Sequence, residues 1–587
     1  MRPLRNLAAL ALLVLPLLTA CGDENKTAPE PGWSLPAAAR DAQPGPIGEI
    51  APPPSVIAWG GVTDADKLAG GVQALAQQVS PLVPRVLDVA QDELRRRLSM
   101  TKLEGIDWKR PARIAFFDAK AAQRTLPAVV LGLASKDQLL AGLPPTIAKK
   151  TNDEGNAVTY RDDLGRTVCL SFIDDSVVVT WDKKLFPANA EFFGRLARST
   201  VAEQQSFHLS AKNVSTLYAK EIDEIVAQAR QQVLGSQGAA PSMQAEVSSR
   251  VFSWMVDTFK ELDRVEVVPK LPEDGALVSI RLHPKADSAL AKSFKAIEAR
   301  PHDLLGKLPA DATMFASFST NPDAADGLTT RLVEWAMSVG FGGKVPEGYQ
   351  QAMTEYFSST GGQIALAVHK PISGDGLTLT TLLSVRDEEK LRAAMRRRSS
   401  ESLKDKAMLE AYKKAGVTVD YRENAYKVGP VPVDTAEVKF EKGKNPLAPL
   451  GPFGEAMGQL YSNQTAVSKE LAIIGYGKDA RKTLEAFLGG KVTGGLDKAA
   501  GPTRAFRLAV ANPVGIFYIS PVEMVKRASL DGKNPLAEGL KDLASTTGAA
   551  ISFSAKDGVL ELVIDVPAEQ ARNVAQGLGR SKAVLPQ

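Results

Sequence analysis

The residues able to move a proton, attack a carbonyl or hold a metal are few and scattered. His208, His283, His302 and His369 are the only histidines, and no two stand at metal-ligand spacing, so no zinc or iron site and no cofactor is expected. His208 alternates with Phe207 and Leu209, which sends it to the polar face of a strand, where a solvated side chain is expected. Cys169 lies in Val168-Cys169-Leu170-Ser171-Phe172 with Arg166 as the nearby cation. A reactive thiolate needs stronger positive surroundings, so an inert, half-buried cysteine is expected. Asp162-Asp163-Leu164-Gly165 and Asp174-Asp175-Ser176 have the composition of tight turns and lack calcium-loop spacing. Gly342-Gly343-Lys344 and Gly489-Gly490-Lys491 lack the upstream glycine and following Ser or Thr of a phosphate cradle, and no Gly-x-Ser-x-Gly elbow occurs. No catalytic residue is assigned.

Arg95-Arg96-Arg97 and Arg396-Arg397-Arg398 are expected to end helices, where cations favour the dipole. Acidic neighbours (Asp92, Glu93, Glu388, Glu389) cancel their charge and argue for a solvated face over a lipid-binding one.

The elements that carry these residues recur. A strand at Val56-Ile57-Ala58-Trp59 precedes a helix with apolar residues at Leu68, Val72, Leu75 and Val79. A strand at 314–318 precedes a helix with Leu328, Leu332, Trp335 and Val339, the same spacing of four and three. Arg113-Ile114-Ala115-Phe116 answers to Gln363-Ile364-Ala365-Leu366, and Val158-Thr159-Tyr160-Arg161 to Val419-Asp420-Tyr421-Arg422. Residues 177–181 answer to 472–476, and Phe207-His208-Leu209 to Phe506-Arg507-Leu508. Each half closes with a strand, an Asp-Gly hairpin turn (Asp274-Gly275 and Asp557-Gly558), a strand, a proline (Pro284 and Pro567) and a helix. These signs predict an α+β protein of two tandem repeated domains, 53–300 and 305–582. Each is expected to be a largely antiparallel sheet with helices packed on one face. A helix over 244–262 is expected to turn Val247, Val251, Trp254, Met255, Phe259 and Leu262 to a core, and 429–460 to form an exposed excursion of the second copy.

The chain begins with Arg2 and Arg5, an apolar run over 7–20, and Leu18-Thr19-Ala20-Cys21. That ending resembles the lipobox of bacterial lipoproteins. The resemblance implies a signal peptide over 1–20, cleavage between Ala20 and Cys21, and acylation of Cys21. Gly22, in place of the aspartate that retains such proteins at the inner membrane, favours the outer membrane. Residues 21–52, rich in Pro, Ala and Gly, are expected to be a flexible tether. Leu308-Pro309-Ala310-Asp311-Ala312 followed by strand and helix resembles bacterial envelope proteins with repeated modules, which implies no activity.

A chain of 587 residues exceeds a single core. Its net charge is +4, and +2 once Arg2 and Arg5 leave with the leader, which argues against nucleic acid as partner. With Cys21 set aside, Cys169 has no partner for a disulfide. The function expected is a membrane-tethered envelope lipoprotein that binds or scaffolds without catalysis, with a protein or lipid ligand at the seam between repeats. The alternatives are an envelope hydrolase with a dispersed site and a carrier of lipid or lipoprotein cargo.

Overall fold

A computed structural model of the chain describes residues 36–582 except 80–83, 119–126, 150, 154–155, 202, 236–242, 322–346, 372–376, 405–408, 411, 414–415, 442–457, 478, 529–534 and 544. Ala20, Cys21, the helix expected around Leu328 to Val339, and Gly342-Gly343-Lys344 lie outside the described residues. The chain divides into two compact units. The first comprises the described residues of Met1–Glu221 and Leu262–His283, the second those of Ile222–Glu261 and Pro284–Gln587.

In the first unit the strands are β1 (Val56–Val62), β2 (Ala112–Phe117), β3 (Pro127–Gly132), β4 (Asn152–Asp153), β5 (Ala157–Arg161), β6 (Thr167–Ile173), β7 (Ser176–Thr180), β8 (Gln205–Leu209), β9 (Leu262–Lys270) and β10 (Gly275–Pro284). They pair in the order β4-β5-β6-β7-β3-β2-β1-β8-β9-β10, antiparallel throughout the registered pairs. In the second unit the strands are β11 (Met314–Ser319), β12 (Thr360–His369), β13 (Thr378–Val385), β14 (Val417–Val428), β15 (Val431–Phe440), β16 (Asn463–Val467), β17 (Leu471–Tyr476), β18 (Gly515–Ile519), β19 (Ala549–Lys556) and β20 (Val559–Pro567). Their antiparallel order is β14-β15-β16-β17-β13-β12-β11-β18-β19-β20.

At β7 and β17 helices pack on both faces of the sheet, not on one as the sequence suggested. β7 is buried along its whole length. Val178 packs into one apolar cluster with Phe192, Phe193 and Leu196 of the Ala190–Arg198 helix. Val177 and Val179 pack into another with Leu98, Leu139 and Ile147. In the second unit Ile473 of β17 packs with Leu484, while Ala472 and Ile474 pack with Tyr356, Leu391 and Met395. A strand covered on both sides reads as a continuous apolar run, as Val177-Val178-Val179 and Ala472-Ile473-Ile474 do.

Four further expectations are corrected. Residues 37–50, assigned to the tether, are folded: Ala39, Ile47 and Ile50 belong to the first core cluster. Arg198 Nη1 donates to the carbonyl of Ala39 at 2.7 Å. The stretch around 431–440, expected as an excursion, is β15, paired on one side with β14 and on the other with β16, with Val433 fully buried. Its neighbours in sequence alternate poorly because the long β14-β15 ribbon is half-exposed along most of its length. Arg396 to Arg398 sit inside the Glu388–Lys404 helix, not at its end. The helix expected over 244–262 runs Met243–Lys260 but leaves Trp254 and Met255 exposed. Its half-buried stripe is Phe252, Val256 and Phe259, rotated from the expected one.

A buried polar network as the candidate functional site

Strands β8, β9 and β10 each place two polar residues two apart on one face: Ser206 and His208, Arg264 and Glu266, Arg281 and His283. His208 stands opposite Trp59 of β1 on one side and opposite Glu266 of β9 on the other. Its ring stacks on the indole at a centroid separation of 5.2 Å. Contrary to the solvated position expected, His208 is 2% exposed. Its polar face is roofed by residues 45–50: a Cβ on Gly48 would lie 3.2 Å from His208 Cε1, and Arg264 donates to the Gly48 carbonyl.

The hydrogen bonds define the proton positions. Ser206 Oγ donates to Glu266 Oε1 at 3.3 Å and lies 2.9 Å from His208 Nε2. Its single proton being committed to the carboxylate, the serine oxygen accepts from Nε2–H, which leaves Nδ1 of His208 a bare lone pair. Nδ1 is buried without a partner. His283 Nε2 lies 3.3 Å from Glu266 Oε2, and Arg281 Nη1 3.5 Å from Oε1. Burial pushes the His208 imidazole down to about 4, so the ring is neutral at pH 7. Burial raises the Glu266 carboxyl, but the bond from His283 and the charges of His208 and Arg281 outweigh it and hold the group below its usual range.

This is not a nucleophilic triad. A catalytic acid orients the imidazole through its far nitrogen, whereas Glu266 binds the serine and Nδ1 is unsupported. Ser206 is itself 4% exposed, so an attacking oxygen would have no route to substrate in this conformation.

The other candidates are separate and structural. His302 accepts from Ser317 Oγ at Nδ1 (2.7 Å) and donates from Nε2 to the Pro513 carbonyl (2.9 Å). His369, 2% exposed, donates from Nδ1 to the Lys370 carbonyl and accepts from Thr380 Oγ1 at Nε2. Burial lowers both rings. Cys169 is fully buried, beyond the half-burial expected, and burial pushes its thiol up to about 12. Asp162 closes a turn by accepting from the amides of Leu164 and Arg166 and from Arg166 Nε. Gly490, with φ +65°, ends the Ala480–Leu488 helix and returns Lys491 N–H to the Ala486 carbonyl. Arg95 and Arg97 pair with Asp92 and Glu93, while Arg396 grips Asp434 through Nε at 2.8 Å and Nη2 at 2.9 Å.

Among the described residues no group of three His, Cys, Asp or Glu is placed to hold a metal ion, and no helix is long and apolar enough to cross a membrane. Ser206, Glu266, Arg264 and Arg281 were not singled out in the sequence. Their signal is the repeated polar pair at i and i+2 on three strands, visible only once those strands are known to be neighbours. No protein-family model, curated protein or solved structure matches the chain.

Proposed function

We propose that the chain is a lipid-anchored protein of the bacterial envelope, acylated at Cys21, that acts as a non-catalytic binding or scaffold protein built from two copies of one α+β domain. The observation that carries the non-catalytic reading is the burial of Ser206 and His208, with the serine hydroxyl spent on Glu266 and on the His208 ring. Labelling of Ser206 by a fluorophosphonate probe in the native protein would refute it.

The duplication draws support from strand order, since adding ten to each strand number of the first unit reproduces the order of the second. It draws more from the backbone. Ser210 N–H bonds Ile57 O as Ser520 N–H bonds Thr313 O, and Thr63 N–H bonds Gln204 O as Ser319 N–H bonds Val514 O. This alignment makes Trp59 and His208 the counterparts of Phe315 and Tyr518, also a stacked pair, at 5.1 Å. It corrects two pairings read from sequence. Phe506-Arg507-Leu508 is in a helix, so Tyr518 of β18 answers to His208. Val419 to Arg422 lie in β14, whose place corresponds to the two-residue β4. Ile114 then answers to Leu366, two residues from the Ile364 expected, while Val178 still answers to Ile473.

The anchor is tested by Cys21→Ser, which should abolish fatty-acid labelling and release the protein from membranes. Continued labelling and membrane retention would refute acylation at Cys21.

The carrier reading draws on a specific feature of the second unit. Phe318 of β11, Ile551 of β19 and Val566 of β20 are each about 40% exposed on the same sheet face. Saturable binding of a fluorescent fatty acid that Ile551→Asp weakens would favour this reading over the scaffold.

A further inference from the structure

We propose that residues 45–50 form an acid-released strap, seated over the neutral His208 ring and lifted from it when that ring takes up a second proton.

The strap is held by Ile47 and Ile50, which sit in the first core cluster, and by a short set of bonds. Thr200 N–H donates to the Gly45 carbonyl at 2.9 Å, Ile47 N–H to the Thr200 carbonyl at 2.8 Å, and Trp59 Nε1–H to the Ile47 carbonyl at 3.0 Å. Arg264 adds a bond to the Gly48 carbonyl. Beneath it, β8 is fixed on both sides by β1 and β9. Water therefore reaches His208 at least cost by lifting the strap, not by parting the sheet.

Protonation forces that choice because of where the new proton goes. Nε2 already donates to Ser206, so the proton lands on Nδ1, which has no acceptor. A buried charged donor without a partner is costly, and solvent is its remedy. The charges facing the ring are known from each neighbouring element. β9 supplies Glu266, which is bridged to the ring by Ser206 and favours its protonation, and Arg264, which opposes it; β10 supplies His283 and Arg281, which oppose it as well. β1 contributes the uncharged Trp59, and the strap's only charge, Glu49, is exposed on its outer side. One carboxylate is thus set against two guanidinium groups and a second imidazole.

The sign follows from linkage. In the closed state the ring titrates near 4, against 6.5 when exposed. Closure is fully favoured above the exposed value and loses ground as pH falls towards the closed value. Between pH 7 and pH 4 the open fraction should rise roughly a hundredfold. This inference does not depend on acylation or duplication.

Hydrogen exchange of the full chain at pH 7 and pH 4, corrected for intrinsic rates, tests it. Protection of the 45–50 amides should fall about a hundredfold while β1 and the Ala190–Arg198 helix keep theirs. His208→Phe, which retains a ring on Trp59 but cannot titrate, should abolish the difference. Unchanged protection at pH 4, a loss shared equally by β1 and the helix, or a persistent loss in His208→Phe would each overturn the proposal. Should that variant not fold, the regional comparison in the unaltered chain still decides between strap release and opening of the whole unit.

Discussion

Trp59 and His208 stand directly opposite one another on β1 and β8, their rings stacked at 22° between planes. The same indole donates to the Ile47 carbonyl, so one side chain fastens the sheet and the segment that covers it. Trp59→Ala should therefore cost about 3–5 kcal/mol by chemical denaturation, the range for deleting a large buried aromatic. Trp59→Phe should cost less and loosen residues 45–50 selectively, because it removes the N–H and keeps most of the ring. A loss below about 1 kcal/mol for the alanine variant would show that this ring is not a core element.

Arg504 and Asp565 form a nearly enclosed bidentate pair, with Nε to Oδ2 at 3.1 Å and Nη2 to Oδ1 at 3.0 Å. Asp565→Ala removes the bidentate carboxylate from a buried guanidinium and should destabilise the second unit by about 3–5 kcal/mol. Replacing both partners, Arg504→Met with Asp565→Leu, should recover most of that loss, since the desolvation cost disappears with the charges. Equal losses in the single and double variants would mean that shape, not charge, dominates this position.

Cys169 should resist alkylation in the native protein at pH 8 and react fully in denaturant, as followed by mass shift. Its thiol titrates near 12 when folded, above its value in the unfolded chain, so this group's contribution to stability is complete below about pH 9 and declines as pH rises towards 12. Rapid native labelling would contradict the burial of β6. Cys169 is the one cysteine among the described residues and is free, so reductant should leave the melting temperature unchanged.

Chelator should also leave the melting temperature unchanged. Asp162 takes its three bonds from Leu164, Arg166 and the Arg166 side chain, so the turn closes without a cation. A drop of several degrees on adding EDTA would sink this reading of the Asp162-Asp163 turn.

Local pattern was sufficient for much of the architecture. The four-three spacing of Leu68, Val72, Leu75 and Val79 marks the Ala65–Val79 helix, and Asp557-Gly558, both at positive φ, marks the β19-β20 hairpin. These signals are legible because helix period and turn conformation are set by residues within a few positions of one another.

Tertiary structure alone decided the rest. Alternation correctly sent His208 to the side away from Phe207 and Leu209, but it could not say that this side would be roofed by Gly48 or flanked by Trp59 and Glu266. Residues 37–50 read as a tether because their composition is poor in apolar groups; Ala39, Ile47 and Ile50 suffice once a core is present to receive them. Phe506-Arg507-Leu508 reads as a strand by its local likeness to Phe207-His208-Leu209, whereas it lies in the Ala500–Leu508 helix. Sequence therefore determined those elements with a strong local signal, such as the Ala65–Val79 helix and the β19-β20 hairpin, and the side to which His208 turns. Which elements become neighbours, and so whether an imidazole meets water, a carboxylate or an indole, depends on contacts between residues far apart in the chain.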